Sequence, residues 1–553
     1  MAKRNQHSRR RFLAGGIGGV VAAGLATGAG ATLLGRHASN VHIQGTLNGA
    51  NWRVGHRLRA DIPAASPVSV VETDIAIIGG GAAGLSAGWK LRRSGFDNFQ
   101  LFDLENAAGG NARGGVNAIS AYPWGAHYVP IASMESKPLI ELFTELNIVT
   151  GYDAQGLPIY DTLQICSDPQ ERLFIHGRWQ EDIVPALGVP ENERQQMKQF
   201  FDLTEKLRLA RGADGKPLFA IPIEASSRDP QWLALDQQTI KDYLLTQGWD
   251  SPHLHWYVNY CCRDDYGTQY EEVSAWAGLH YFAARRGKAA NVDPGAVVTW
   301  PQGNAYLTDH LASTIQDRIR TNLLATRVTR TAEGVEIDLF DTVTSEPRRL
   351  RAKAVILSVP QFVTQHIAPF LSEGDIPHGF SYAPWMVAAI SLDRHPAGPG
   401  VALAWDNVSY TGKSLGYVVA THQNLNMLQE ETVISLYWPL SDLPPSEARR
   451  LAIGRSYDAW RDLIVEELEA MHPGIRDHIL NLDIWLWGHA MIRPVPGFIW
   501  GEARQRAAAP QPPIFRAHSD LSGISIFEEA QYRGVAAAEQ AMAFLQHDFR
   551  SSL

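Results

Sequence analysis

The chain has 553 residues, 45% of them hydrophobic and 19% charged, with a formal net charge of −9. This is a globular balance, long enough for several domains or one large discontinuous enzyme, and it excludes long-range disorder. The 58 acidic against 49 basic side chains exclude the basic signature of a nucleic-acid-binding protein. Cys166, Cys261 and Cys262 form no CxxC and no zinc-ligand spacing, which excludes a disulfide scaffold and structural zinc, so no metal is expected.

Residues 1–34 open with a basic stretch and continue as an uncharged run rich in Gly and Ala, the shape of an export signal. Ser8-Arg9-Arg10-Arg11-Phe12-Leu13 resembles the twin-arginine motif S-R-R-x-F-L, and Ala29-Gly30-Ala31 is a small-x-small cleavage site. The run has too few strongly apolar residues for a membrane span. The resemblance implies export of folded protein, cofactor inserted, to the periplasm by the twin-arginine translocase. Residues 35–69 read as a polar, irregular leader. The apolar run 73–78, ending at Gly79, reads as a buried parallel strand. A helix over 82–94 and a second strand over 99–102 complete a βαβ unit. Further on, helices are expected over 236–247 and 273–285. Strands are expected over 326–331, 334–340 and 348–358, with more between 385 and 440. The pattern over 446–471 predicts one amphipathic helix, and 526–546 a final one.

Gly79-Gly80-Gly81-Ala82-Ala83-Gly84 fits GxGxxG between a strand and a helix, which is the context a dinucleotide site requires. Gly79 permits the tight turn, Gly81 the close approach of a pyrophosphate, and Gly84 the close packing of helix on strand. Ala82 and Ala83 open the helix, whose free N–H groups favour phosphate. Asp103, followed by Leu104, stands nineteen residues past Gly84 and can accept hydrogen bonds from an adenosine ribose. Glu105 competes for that role.

A second Gly-rich loop, Asn106 to Gly115, follows the acid, with Gly109 six residues past Asp103. This arrangement resembles the flavin-containing amine oxidoreductase superfamily. Tyr122 to Tyr128, Trp300-Pro301-Gln302-Gly303-Asn304, and His518 to Gly523 with Glu528-Glu529-Ala530 and Gly534 resemble its later motifs. The resemblance implies FAD, held by the first loop and also by Gly109, Gly110, Asn111, Gly125, Ala126, Val328, Ser358, Asp520, Ser525 and Glu529. The family's usual Gly-Gly-Arg is Gly109-Gly110-Asn111 here, and Arg113 is the candidate replacement beside the phosphates. The implied fold class is α/β. A Rossmann-like FAD-binding domain takes 70–130, 296–365 and 495–545. A discontinuous α+β substrate domain takes 131–295 and 366–494.

The implied chemistry is hydride transfer from an amine, polyamines included, to the flavin. Aromatic walls guide the C–H bond in such sites, and the candidates are Trp124, Tyr128, Phe498 and Trp500, with His127 as the titratable group. Asp264, Asp265, Glu271 and Glu272 suggest an acidic funnel for a cation. Many amine oxidases carry a Lys near the flavin, whereas the corresponding stretch 385–390 has none. The electron acceptor is open between oxygen, a quinone and a cytochrome. Two alternatives stand: a desaturase- or isomerase-like flavoprotein acting on an apolar substrate, and a non-catalytic FAD-binding protein.

Overall fold

The computed structural model describes residues 43–59, 67–371, 379–426 and 428–553. The stretch that resembles a twin-arginine signal, with the cleavage site expected in it, lies outside the described residues. Val70–Ile78 is an inner strand of a seven-stranded sheet. It pairs in parallel with Phe99–Phe102 on one side (Ile77 opposite Leu101) and with Pro347–Leu357 on the other (Ile78 opposite Leu357). Its apolar run is continuous because both faces are covered. Ile75 and Ile77 pack with the helices Ala82–Arg93 and Phe527–Phe544, whereas Ala76 and Ile78 pack with Val328, Ile337 and Ile367. An antiparallel meander of Leu323–Thr331, Gly334–Asp341 and Pro347–Leu357 completes this α/β layer. Ile514–Arg516 returns late in the chain to lie parallel to Pro347–Leu357.

A second sheet has eight strands, with Tyr382–Leu392 between Thr432–Pro439 and Ile479–Ile492. Successive side chains alternate between its faces. Val387, Ala389 and Tyr437 point into the core that holds the helices Glu191–Leu209, Pro252–Tyr266 and Ala275–Ala283. Met386, Ala388 and Trp438 point to the other face, under the helix Tyr457–Met471.

Three sequence expectations need correction. The leader is not irregular throughout: Leu47–Gly49 is an edge strand of the second sheet, parallel to Ile479–Ile492. The helix over 446–471 is two helices, Pro445–Gly454 and Tyr457–Met471, because Ser456 breaks off and caps the second by accepting from the Ala459 N–H. The helix over 236–247 begins only at Ile240, where Thr239 caps it. Residues 259–266 form the end of the helix Pro252–Tyr266, which stops at Gly267 with φ +59°. Among the described residues, no helix is long and apolar enough to cross a membrane and no cluster of side chains could hold a metal ion.

Candidate functional site

The turn after Val70–Ile78 is built as its glycines require. Gly79 adopts φ +102°, and a Cβ there would lie 2.5 Å from the Ser358 carbonyl oxygen. A Cβ at Gly84 would lie 1.9 Å from the Gly79 carbonyl oxygen, so only glycine lets the helix sit this close. At Gly81 a Cβ would meet only the Gly110 Cα, at 3.8 Å, and would enter the open space before the helix. That helix has no side-chain cap at Gly81, which leaves the N–H groups of its first turn, including Ala82 and Ala83, for an anion. The final helix also starts uncapped, at Ile526, and crosses the first where a Cβ on Gly534 would lie 2.1 Å from the Ala83 carbonyl oxygen.

Asp103 ends the second strand with Leu104 beside it. Its carboxylate accepts from the Gly80 N–H at 2.5 Å and from the Glu105 N–H at 2.7 Å. Burial nonetheless pushes its pKa up. Glu105 is engaged elsewhere, accepting from the Asn51 N–H at 2.7 Å and facing Arg113 at 3.4 Å. The two Gly-rich loops touch: Gly109 donates to the Gly80 carbonyl at 2.7 Å, and a Cβ on Gly110 would lie 2.9 Å from the Gly81 Cα. Asn111 donates to the Ala490 carbonyl at 2.6 Å, while Arg113 bonds Glu105 and the Ala107 carbonyl. The Ser358 Oγ is buried beside Gly79 and Gly84 with no partner among the described residues. An uncapped helix start, open space before Gly81 and this orphaned hydroxyl together fit a dinucleotide.

The other assigned positions divide. Val328 is buried in the edge strand of the meander, opposite Ile337. Asp520 is buried, and its carboxylate is already held by protein, accepting from the Gln361 N–H at 2.9 Å and Tyr382 Oη at 2.6 Å, with His518 Nδ1 at 2.9 Å. Ser525 accepts from the Ile492 N–H, and Glu529 from the Ile223 N–H at 2.6 Å. Gly125 and Ala126 connect the second loop to the interior. Ala126 donates to the Asn111 carbonyl at 3.4 Å and accepts from the Asn304 N–H at 3.0 Å, yet both Asn111 and Ala126 are exposed.

Directly after them the structure gathers an aromatic cluster. The His127 ring stacks on Tyr437 at 4.4 Å, with Tyr128 at 5.2 Å and Trp405 at 5.5 Å. Enclosure by these rings desolvates the imidazole and lowers its pKa to about 4, against which the Gly125 carbonyl acts only weakly, so it is neutral at neutral pH. Charges of both signs border the cluster, with Arg285 donating to Tyr128 Oη at 3.0 Å. Asp406 lies 3.5 Å from Tyr260 Oη, and Asp265 pairs with Arg285 at 3.0 Å. Burial first, then the charges of Asp406 and Asp264, push the Tyr260 and Tyr437 phenols well up. Of the four carboxylates expected to form an acidic funnel, Asp265 is paired with Arg285, and Glu271 and Glu272 turn away to Lys241 at 3.4 Å and Arg493 at 2.7 Å.

The four wall candidates do not converge on one place. Trp124 sits near the cluster, its ring 5.5 Å from Trp485 and its carbonyl accepting from Trp487 Nε1 at 2.6 Å. Trp500 lies instead against Trp276 and under Arg228, and Phe498 against Phe380. Sequence proximity to a motif misplaced these two, since the chain turns at 494–501 to bond Asp236 through the Trp500 N–H. Tyr437, Trp405, Tyr260 and Asp406 were missed. Alternation along 432–439 could have separated Tyr437 from Trp438, whereas nothing local marks Asp406.

A family model described as an NAD(P)-binding Rossmann-like domain matches residues 77–146. No curated protein matches the chain. Several solved structures share its architecture. Putrescine oxidase bound to putrescine is 15% identical with a TM-score of 0.63, over 86% of this chain and 100% of that one. Cyclohexylamine oxidase from Brevibacterium oxydans IH-35A is 15% identical with a TM-score of 0.61, over 86% and 99%. The CLA-producing fatty acid isomerase from P. acnes is 16% identical with a TM-score of 0.58, over 85% and 98%. The chain has the α/β fold these proteins share, with an NAD(P)-binding Rossmann-like segment in its first βαβ unit.

Proposed function

We propose that the chain is an FAD-dependent oxidoreductase that oxidises a cationic amine beside His127. The observation that carries this reading is the aromatic cluster of His127, Tyr128, Trp405 and Tyr437 bordered by Asp264 and Asp406, directly after Gly125 and the exposed Ala126. Resemblance in the two Gly-rich loops and a fold shared with two amine oxidases support it. Bound FAD supplies the hydride acceptor. Gly81, Asp103, Gly109 and Gly110 would hold it by close backbone approach and by hydrogen bonds to its ribose and phosphates, with Gly79 and Gly84 shaping the turn and the start of the helix. The carboxylates of Asp406 and Asp264 attract an ammonium group, and the neutral imidazole of His127 adds no opposing charge. Aromatic walls desolvate the amine, which favours its unprotonated, reactive form and fixes the C–H bond.

Asp406→Asn tests the assignment. It keeps the shape and removes the attraction, so KM for an amine rises about tenfold while kcat stays within about threefold. Unchanged KM removes Asp406 from the site. We further propose export by the twin-arginine translocase to the periplasm, on the motif at Ser8–Leu13. Replacing Arg9 and Arg10 with Lys then leaves the protein in the cytoplasmic fraction, and undiminished export contradicts it.

A further inference from the structure

Two arginines and two histidines gather at one place where few carboxylates stand among the described residues. The strand Ile479–Ile492 carries His489 next to Ala490, whose carbonyl holds Asn111 of the second Gly-rich loop at 2.6 Å. The His489 ring stacks on Phe362 at 4.1 Å. Phe362 belongs to the helix Gln361–Ile367, and the turn His56–Arg59 of the leader packs against that helix. Arg449 reaches the same place, with its Cδ 3.6 Å from where a Cβ on Gly488 would be and its Nη1 bonded to the carbonyls of Tyr382 at 2.9 Å and Gly488 at 3.4 Å.

Among the described residues neither Arg449 nor Arg59 makes an ion pair. The remaining charges nearby do not neutralise them. Arg493 is paired with Glu272, and Asp520 is held by Tyr382, Gln361 and His518. Burial first, then Arg449, Arg59 and His56, drives the His489 pKa down to about 3. The positive potential of Arg449 and Arg59, with the neutral imidazole of His489 as a hydrogen-bonding partner, favours an anion among them. The leader is fixed there from both sides: Leu47–Gly49 pairs with Ile484–Leu486, and the Asn51 N–H donates to Glu105 beside the ribose acid.

We infer that Arg449, His489 and the leader residues Arg59 and His56 form an anion site for the diphosphate of the bound dinucleotide. The inference rests on the FAD reading above and assigns a role to residues outside the Gly-rich loops. Three observations select this anion. The cluster adjoins the contact between the two Gly-rich loops. The residue after Gly109-Gly110 is Asn111, which carries no charge. Arg113, the sequence candidate for neutralising the phosphates, is held by Glu105 and Ala107. The leader is therefore part of the cofactor site and not a spacer.

The test is FAD titration of the full-length apoprotein, followed by flavin fluorescence, for the wild type, Arg59→Glu, Arg59→Lys and Arg449→Gln, at low and high salt. Arg59 is exposed, so its variants keep the apoprotein melting temperature and stay interpretable if Arg449→Gln does not fold. Arg59→Glu and Arg449→Gln are expected to weaken FAD about tenfold or more and to flatten its salt dependence, with Arg59→Lys restoring most of the affinity. Wild-type affinity in Arg59→Glu and in folded Arg449→Gln overturns the anion site and leaves the FAD reading intact. A wild type that takes up no FAD overturns both.

Discussion

A methyl group should have opposite effects at Gly84 and Gly81, although only three residues separate them. At Gly84 it strikes the Gly79 carbonyl oxygen, so Gly84→Ala is expected to destabilise the fold by about 1–3 kcal/mol, read by urea unfolding. At Gly81 the methyl enters open space and the backbone already has φ −75°, so Gly81→Ala keeps the melting temperature but weakens FAD binding by about tenfold or more. Equal effects at the two positions would contradict the assignment. Glu528 offers a pH prediction. Burial pushes its pKa up to about 7, helped by Glu529 and Asp265 and opposed by Arg285. A carboxyl raised in the folded state binds more protons there than when unfolded, so its contribution is full below the ordinary carboxyl range and is lost as pH rises toward 7. Glu528→Gln should therefore gain in melting temperature over the wild type between pH 5 and pH 8, and a pH-independent difference would show that Glu528 does not titrate there. At this scale the cofactor loop was legible because its glycines answer to local backbone geometry. The aromatic cluster around His127 was not, because Tyr437, Trp405 and Asp406 come from segments hundreds of residues away in the chain.

Among the elements, those with local signals were read well. The run Val70–Ile78 and the two ends of the meander follow directly from apolar periodicity and turn residues. The errors arose where capping overrode periodicity. Gly454-Arg455-Ser456 interrupts an apolar stripe that continues through 446–471, and the Ser456 hydroxyl starts a new helix. Ser456→Ala is expected to cost up to about 1 kcal/mol, and a melting curve unchanged from wild type would remove the cap from the account. The strand Leu47–Gly49 was illegible for a different reason. Its three residues carry no pattern, and they form a strand only because Ile479–Ile492 offers an edge more than 430 residues later.

The whole molecule joins two sheets through the loops that follow Val70–Ile78 and Phe99–Phe102. One sheet presents Gly81, Gly110 and Ser358, and the other presents Tyr437, Trp485 and His489. The Gly125–Ala126 segment runs between them, tied to Asn111 on one side and to Tyr437 Oη at 3.1 Å on the other. The proposed function sets the cofactor on the first sheet and the amine in the aromatic and acidic cluster under the second. The measurement that tests this account most directly is an anaerobic visible spectrum of the FAD-loaded protein during titration with amines, putrescine and cyclohexylamine among them. Bleaching of the oxidised-flavin band by an amine is the predicted result, and readmission of air then assigns oxygen or another acceptor. A loaded protein whose flavin stays oxidised with every amine, but is reduced by an apolar substrate or by none, contradicts it.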